Sequence, residues 1–275
     1  MKSSNISSLL KQCSSGEPQQ QAPAIIELVK IKAYSAVTIL LELLQSTDES
    51  IRSNAAYALG RLGEREVESV GPALISLLED PETLVRSDAA ESLGLLAYQP
   101  AREAVEFLLQ NDTEPFIRAD AAETLGDLGD AQAIDSLKLA MEDPDSSVRS
   151  YAANSLGLLG TSELIPQLQA YLDSEDYLEV KAELWGAQYR LGREKALEEF
   201  LQALRDTDED LATNMLNVLD DLLSRNLPPT ITRDAEHIDD ILSLVQNRFL
   251  LLSPHAQKLR NKLIDIQRGN ARAET

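Results

Sequence analysis

The chain of 275 residues is poor in the side chains that most chemistry needs. It has one cysteine, Cys13, which excludes an internal disulfide and a thiolate metal cluster. Two histidines, His237 and His255, are too few for a His-rich metal site, and no Ser-His-Asp or Cys-His arrangement fits them. Aromatic residues make up 4%, low for a dense β-sandwich or an aromatic-lined cofactor pocket. Cations are scarce as well. Lysine and arginine number 25 against 46 acidic residues, a formal charge of −21. Such a surface repels nucleic-acid phosphates and anionic lipid, so neither is an expected partner. No apolar run approaches the roughly 20 residues of a membrane span. The segment from Met1 to Gln21 is rich in serine and glutamine and has no hydrophobic signal core. A cytoplasmic protein is the expectation.

What is present is a repeat. Five segments align on a basic residue, at Arg52, Arg86, Arg118, Arg149 and Lys181, with steps of 34, 32, 31 and 32 residues. In the four arginine segments apolar or small residues fall one before the basic residue and three, four, seven and ten after it, which is one face of an α-helix, and the Lys181 segment follows the pattern except at Gln188. The glycine eight positions on (Gly60, Gly94, Gly126, Gly157) lies on that face and lets two helices approach closely. The glycine eleven on (Gly63, Gly129, Gly160, Gly192) stands where a helix C-terminus favours a left-handed residue. A second amphipathic helix precedes each segment, marked for instance by Leu74, Leu77 and Leu78 or by Val105, Leu108 and Leu109. Neither helix can bury its stripe alone, so the hairpins must stack.

The turns carry a further signal. Asp80-Pro81 and Asp143-Pro144 predict a capping carboxylate before a proline in the first helical position. Asp80, Asp112 and Asp143 each lie six residues before an arginine and can reach the arginine of a neighbouring repeat. A ladder of charge-assisted hydrogen bonds is the expected result.

The run Asp-Pro-Asp-x-x-Val-Arg-x-x-Ala-Ala-x-x-Leu-Gly-x-Leu-Gly at residues 143–160 resembles the HEAT-like repeat of the bilin-lyase (E/F-type) superfamily. The resemblance spans roughly residues 22 to 222. It implies an all-α fold, a right-handed α-solenoid of HEAT-like hairpins. It also implies one of two occupations: attachment of linear tetrapyrroles to phycobiliprotein cysteines, or scaffolding without catalysis, as in a relative that binds an iron–sulfur assembly factor. A transient phycocyanobilin and pairing with a second HEAT-like chain belong to the first; no resident cofactor or metal belongs to either. Whether the chain is an enzyme stays open, because no self-contained catalytic constellation is present.

The expected organisation is a flexible leader over residues 1–20, one solenoid over 21–268 with irregular caps at about 21–45 and 230–268, and a polar tail over 269–275. Asn226-Leu-Pro-Pro229 interrupts the pattern before the last two helices, and Phe249-Leu-Leu-Leu252 is an apolar run that serves as cap or as a patch for a second subunit.

In solenoids of this kind the second helix of each hairpin lines the concave face. Its outward positions are then Asn54, Tyr57, Arg61, Asp88, Glu91, Asp120, Glu123, Asp127, Tyr151 and Asn154, with Leu95, Leu158, Glu183 and Arg190 beside them. They vary from repeat to repeat while the lattice positions do not, as suits a protein-binding surface. Their acidic centre suits a basic client surface or, at Asp88 and Asp120, the pyrrole N–H groups of a bilin. Trp185, Tyr189 and Arg190 are the expected flat, cationic edge for a tetrapyrrole and its propionates. Trp185 also replaces a small residue of the seam, which predicts a different packing in the fifth repeat.

Overall fold

The computed structural model describes residues 2–228 and 230–273, with side chains for 5–228 and 230–269. The described residues are α-helical with short 3-10 turns and contain no strand. Contacts group the chain into two compact units, residues 1–140 and 141–275.

The first unit holds α1 (Lys2–Cys13), α2 (Pro18–Lys30), α3 (Val37–Leu43), α4 (Glu49–Leu62), α5 (Val67–Ser76), α6 (Thr83–Leu95), α7 (Arg102–Asn111), α8 (Pro115–Leu128) and α9 (Ile134–Ala140). The arginine-bearing helices α4, α6 and α8 pack side by side in chain order, each also against the helix that precedes it. Their predicted inner faces are the core: Ile51, Ala55, Ala56 and Leu59 on α4, and Val85, Ala89, Ala90 and Leu93 on α6, are fully buried. Ile117, Ala121, Ala122 and Leu125 repeat the pattern on α8.

The small residues do what the spacing requires. A Cβ on Gly60 would lie 2.4 Å from Ser92 Oγ and 2.9 Å from Ser92 Cα on the next helix. In the second unit a Cβ on Gly157 would lie 2.7 Å from Ala187 Cα. Backbone stands opposite in both places, so no rotamer change relieves the clash.

The second unit holds α10 (Ser146–Leu159), α11 (Ile165–Ser174), α12 (Leu178–Arg190), α13 (Lys195–Asp206), α14 (Glu209–Leu222), α15 (Ile231–Arg248) and α16 (Ser253–Ala273). α10 packs on α12, and α12 on α13 and α14; α15 and α16 pack on each other and on α13 and α14 respectively. Val148, Ala152, Ala153 and Leu156 continue the lattice. The core then enlarges, with Tyr189, Phe200, Leu201, Leu216, Leu219, Ile238 and Leu242 buried together.

The arginine ladder is present in both units. Arg52 donates through Nε and Nη2 to both Asp80 carboxylate oxygens, at 2.8 Å each. Arg86 binds Asp112 in the same way at 2.7 and 3.1 Å, and Arg149 binds Glu175 at 2.8 and 3.0 Å. The third guanidinium nitrogen of Arg86 donates to the Asp80 main-chain oxygen at 2.9 Å. Asp80 thus joins Arg52 through its carboxylate and Arg86 through its carbonyl. Burial alone would push the Asp80 carboxyl up; the hydrogen bonds from Arg52 and from the Glu82 N–H outweigh it and hold the group below its ordinary value.

Several expectations need correction. Asp80 and Asp143 are not helix caps: each carboxylate accepts from the N–H two residues on, Glu82 and Asp145, in a turn outside the helix. Pro81 and Pro144 sit within these turns, whereas Pro115 opens α8. Asp145 caps α10 instead, accepting from Ser147 N. Of the four C-terminal glycines only Gly129 and Gly192 are left-handed, at φ of 71° and 102°. Gly160 has an ordinary φ of −81° and is required for space, since a Cβ there would meet Leu156 O and Leu164 Cδ1 at 2.5 Å. The non-glycine Ala97 takes the left-handed turn of its repeat, at φ 46°.

Residues 2–13, expected as a loose leader, form α1, which packs on α2 and buries Leu9 and Cys13. Gln21 is buried too and donates to the Cys13 carbonyl at 2.7 Å, so the junction of the two helices is satisfied. Burial pushes the Cys13 thiol above its ordinary pKa. The expected tail continues α16 through Ala273; Pro229 and residues 274–275 lie outside the described residues.

Candidate functional site: the outward face of the arginine-bearing helices

A helix that buries one face in the lattice leaves the opposite face to the surroundings. On α4, α6 and α8 that face runs through the residues expected from helix period. Asn54 is half-buried and Tyr57 is exposed, with the Arg61 guanidinium 5.0 Å from the Tyr57 ring centre. Arg61 also reaches Glu91 on α6 at 3.1 Å, so this cation is already engaged.

Asp88 and Asp120 occupy the same lattice position on neighbouring helices. Ser53 on α4 donates to Asp88 Oδ2, and Ser87 on α6 donates to Asp120 Oδ2. Each serine is the residue after a ladder arginine, so the helix that builds the ladder also places the next helix's carboxylate. Among the described residues no lysine or arginine pairs with either aspartate. Burial pushes the Asp88 carboxyl up, the Ser53 bond opposes it, and Glu91 and Asp120 add repulsion. Asp120 is raised by burial, with Ser87 opposing and Glu91 adding. Glu91 and Glu123 stand exposed beside them, and Asp127 is half-buried on α8. Leu95, exposed on α6, ends the row.

The equivalent face of the second unit is differently used. Tyr151 is exposed on α10. Asn154 donates to Glu183 Oε2 at 3.1 Å and to Asp221 Oδ2 at 3.0 Å. Arg190 donates to Asp221 Oδ2 at 2.8 Å and to the Arg225 carbonyl. Arg225 closes the set through Asp221 Oδ1 at 2.6 Å. Burial raises the Glu183 carboxyl to about 7; the Asn154 bond opposes it, and the Asp221 charge reinforces it. Burial also lowers the Arg190 pKa, which the Asp221 charge opposes. Sequence reading missed Asp221 and Arg225, because they lie in the hairpin that lacks the repeat motif.

The tetrapyrrole edge expected from Trp185, Tyr189 and Arg190 does not form. Tyr189 is 1% exposed, and its hydroxyl donates to Asp234 at 2.8 Å while accepting from Thr230 at 3.1 Å. Burial raises its pKa. The Arg190 side chain is 4% exposed and paired. Trp185 is half-buried against the core of the second unit, as a filler would be. The large rings move inward because the fifth repeat packs on the motif-free α13 and α14 and the wider core there. Of the apolar run near the C-terminus, Leu252 is buried, while Leu250 and Leu251 are 85% and 82% exposed.

Among the described residues no group of three or more His, Cys, Asp or Glu side chains is arranged to hold a metal, and no helix is long and apolar enough to cross a membrane.

Stacked helical hairpins with a constant buried lattice and a variable outer row define a helical repeat protein. The family profile for HEAT repeats matches residues 6–94, 71–145 and 137–219, and the chain belongs to that family. Its fold is similar to that of a chain in the complex of CpcE and CpcF of phycocyanin lyase from Nostoc sp. PCC7120, with a TM-score of 0.61 and 22% identity over 84% of this chain and 94% of that one. It is also similar to the Escherichia coli protein YibA, with a TM-score of 0.54 and 18% identity over 94% and 91% of the two chains. Sequence comparison with curated proteins gives no match.

Proposed function

We propose that this HEAT-repeat protein is a client-binding relative of the phycobilin lyases. It holds a basic surface of a phycobiliprotein subunit against the acidic face of α6 and α8, in the cytoplasm, during chromophore attachment or phycobilisome biogenesis. One observation carries the reading. Asp88 and Asp120 are held in register by serine hydroxyls, partly desolvated and facing like charges, with no cation supplied by the described chain. A lysine or arginine of a client relieves that repulsion, which favours binding and selects against acidic partners. The similarity in fold to a chain of a complex described as a phycocyanin lyase supports the choice of client class. Two leucines exposed between α15 and α16 support pairing with a second HEAT-like chain.

Titration calorimetry with purified phycocyanin subunits tests it. The Asp88→Lys/Asp120→Lys double variant is expected to lose about tenfold or more in affinity while keeping its helical content. Equal affinity of variant and parent for the client removes the acidic face from the proposal.

A scaffold that makes and breaks no bond, such as one serving an iron–sulfur assembly factor, is the second reading. It is favoured by the internal use of Tyr189 and Arg190, which leaves that end without a preformed tetrapyrrole edge. Addition of phycocyanobilin separates the two: an ordered, red-shifted band supports the lyase-related reading, and an unchanged spectrum alongside retained client binding supports the scaffold.

A further inference from the structure

The acidic face of the first unit has an apolar border. Leu84 and Phe116 occupy the same lattice position, two residues before Arg86 and Arg118, and are 69% and 46% exposed. They lie four residues before Asp88 and Asp120. On α6 the sequence Leu84, Asp88, Glu91, Leu95 runs along one helix face, and on α8 Phe116, Asp120, Glu123, Asp127 does the same. An apolar row therefore runs parallel to two carboxylate rows, about 6 Å from the nearer one along the helix axes.

Beside Leu84, a notch of about 350 Å3 opens between the first turns of α4 and α6. Its walls include Glu49, Glu82, Ser50 and Asn54. The notch suits a lysine or arginine, with its alkyl stem on Leu84 and its charged head at the two glutamates.

We propose that this face docks a basic amphipathic helix of a partner protein, with apolar side chains on Leu84 and Phe116 and Lys or Arg side chains over Asp88 and Asp120. This deepens the proposed function, since it rests on the same acidic face and specifies the element that the partner presents. The charge pattern excludes an acidic helix, and the apolar row excludes a purely polar basic tail. Packed helices lie about 8–10 Å apart, which separates Leu84 from Phe116 by close to the 10.5 Å rise of seven residues in a helix. A partner helix lying across α6 and α8 then offers one apolar residue per repeat at i and i+7 with a cationic row alongside. A β-strand turns residues at that separation to opposite sides, because its side-chain period is two.

The test uses a fluorescent Leu/Lys peptide with heptad-spaced leucines, a scrambled peptide of the same composition, and a third with two central prolines. Fluorescence anisotropy is expected to show the parent protein binding the amphipathic peptide at least about tenfold tighter than either control. Leu84→Ser/Phe116→Ser is expected to bring it to the control level, and circular dichroism checks that these exposed substitutions leave the fold intact. Asp88→Asn/Asp120→Asn is expected to weaken binding and flatten its salt dependence. Equal binding of the three peptides, or an unchanged affinity in the Leu84/Phe116 variant, overturns the inference. If phycocyanin binding then still depends on Asp88 and Asp120, the functional reading survives without it. If peptide discrimination holds while phycocyanin does not bind, the client assignment fails and the docking mode stands.

Discussion

The two units build the same helix lattice and then use its outer face in opposite ways. In the first, Asp88 and Asp120 are positioned by hydroxyls and left without a cation among the described residues. In the second, Asn154, Glu183 and Arg190 are drawn into a closed network by Asp221 and Arg225, which come from outside the repeat. The cause of the difference is the presence or absence of a motif-free hairpin beside the stack. α14 and the segment after it supply two charged side chains to the face of α10 and α12, whereas in the first unit Arg61 pairs with Glu91 and, among the described residues, no cation pairs with Asp88 or Asp120. A face that pairs its charges internally contributes to folding, and a face with carboxylates that lack a cation, as Asp88 and Asp120 do, favours binding one.

The sharpest way to break the parallel is to cut the part that the units share. Asp112→Ala leaves the Arg86 guanidinium, whose side chain is 13% exposed, without its bidentate partner; Glu175→Ala does the same to Arg149, also 13% exposed. Loss of one partner from a buried pair costs about 3–5 kcal/mol. Urea denaturation is expected to show losses of that order for both variants. A loss in only one of them shows that the ladder is not equivalent in the two units.

The next effect is a gain. Gln188 on α12 occupies the position held by Leu59, Leu93, Leu125 and Leu156 in the other repeats, and it is fully buried with neither amide atom hydrogen-bonded. An unsatisfied buried amide costs about 1–3 kcal/mol. Gln188→Leu is therefore expected to raise the urea midpoint by an amount in that range. A fall in stability would mean that the amide has a partner there, such as a bound water or ligand.

How much of this was legible in the sequence depends on the range of the interaction. The lattice was readable because each of its requirements falls at a fixed offset from an arginine: the buried Ile51, Ala55, Ala56 and Leu59 row, the close approach at Gly60, and the aspartate that reaches the preceding arginine. Glu175 was missed in the ladder only because a longer acid replaces aspartate there. The face was half legible. Its rows at Asp88 and Asp120 are set by helix period, but the serine clamps join side chains from successive repeats, and Leu84 looks like core until the register of α6 is known. The burial of Tyr189 and the closure over Glu183 were not legible. They depend on Asp234, Thr230, Asp221 and Arg225, in segments that carry no repeat motif. The α1 helix escaped because its polar sequence conceals two inward residues, Leu9 and Cys13.

The smallest expected effect concerns pH, and it bears on the closed face alone. Glu183 has a pKa raised to about 7 in the folded chain from an ordinary 4.5, chiefly by burial. The folded state therefore holds this proton more tightly than the unfolded state. Its stabilising contribution is complete below about pH 4.5 and is lost as the pH rises through 7. Glu183→Gln mimics the protonated form and keeps a group able to meet Asn154. The melting temperature of the parent, relative to this variant, is expected to fall between pH 5 and pH 8, at about 2–4 °C for each kcal/mol of the linkage. The raised carboxyls of Asp88 and Asp120 act in the same direction but are common to both proteins, so the difference between the two melting curves isolates Glu183. A constant difference across that range would mean that Arg190 and Arg225 already compensate the Glu183 charge, and that the network tolerates the ionised carboxylate as readily as the neutral acid.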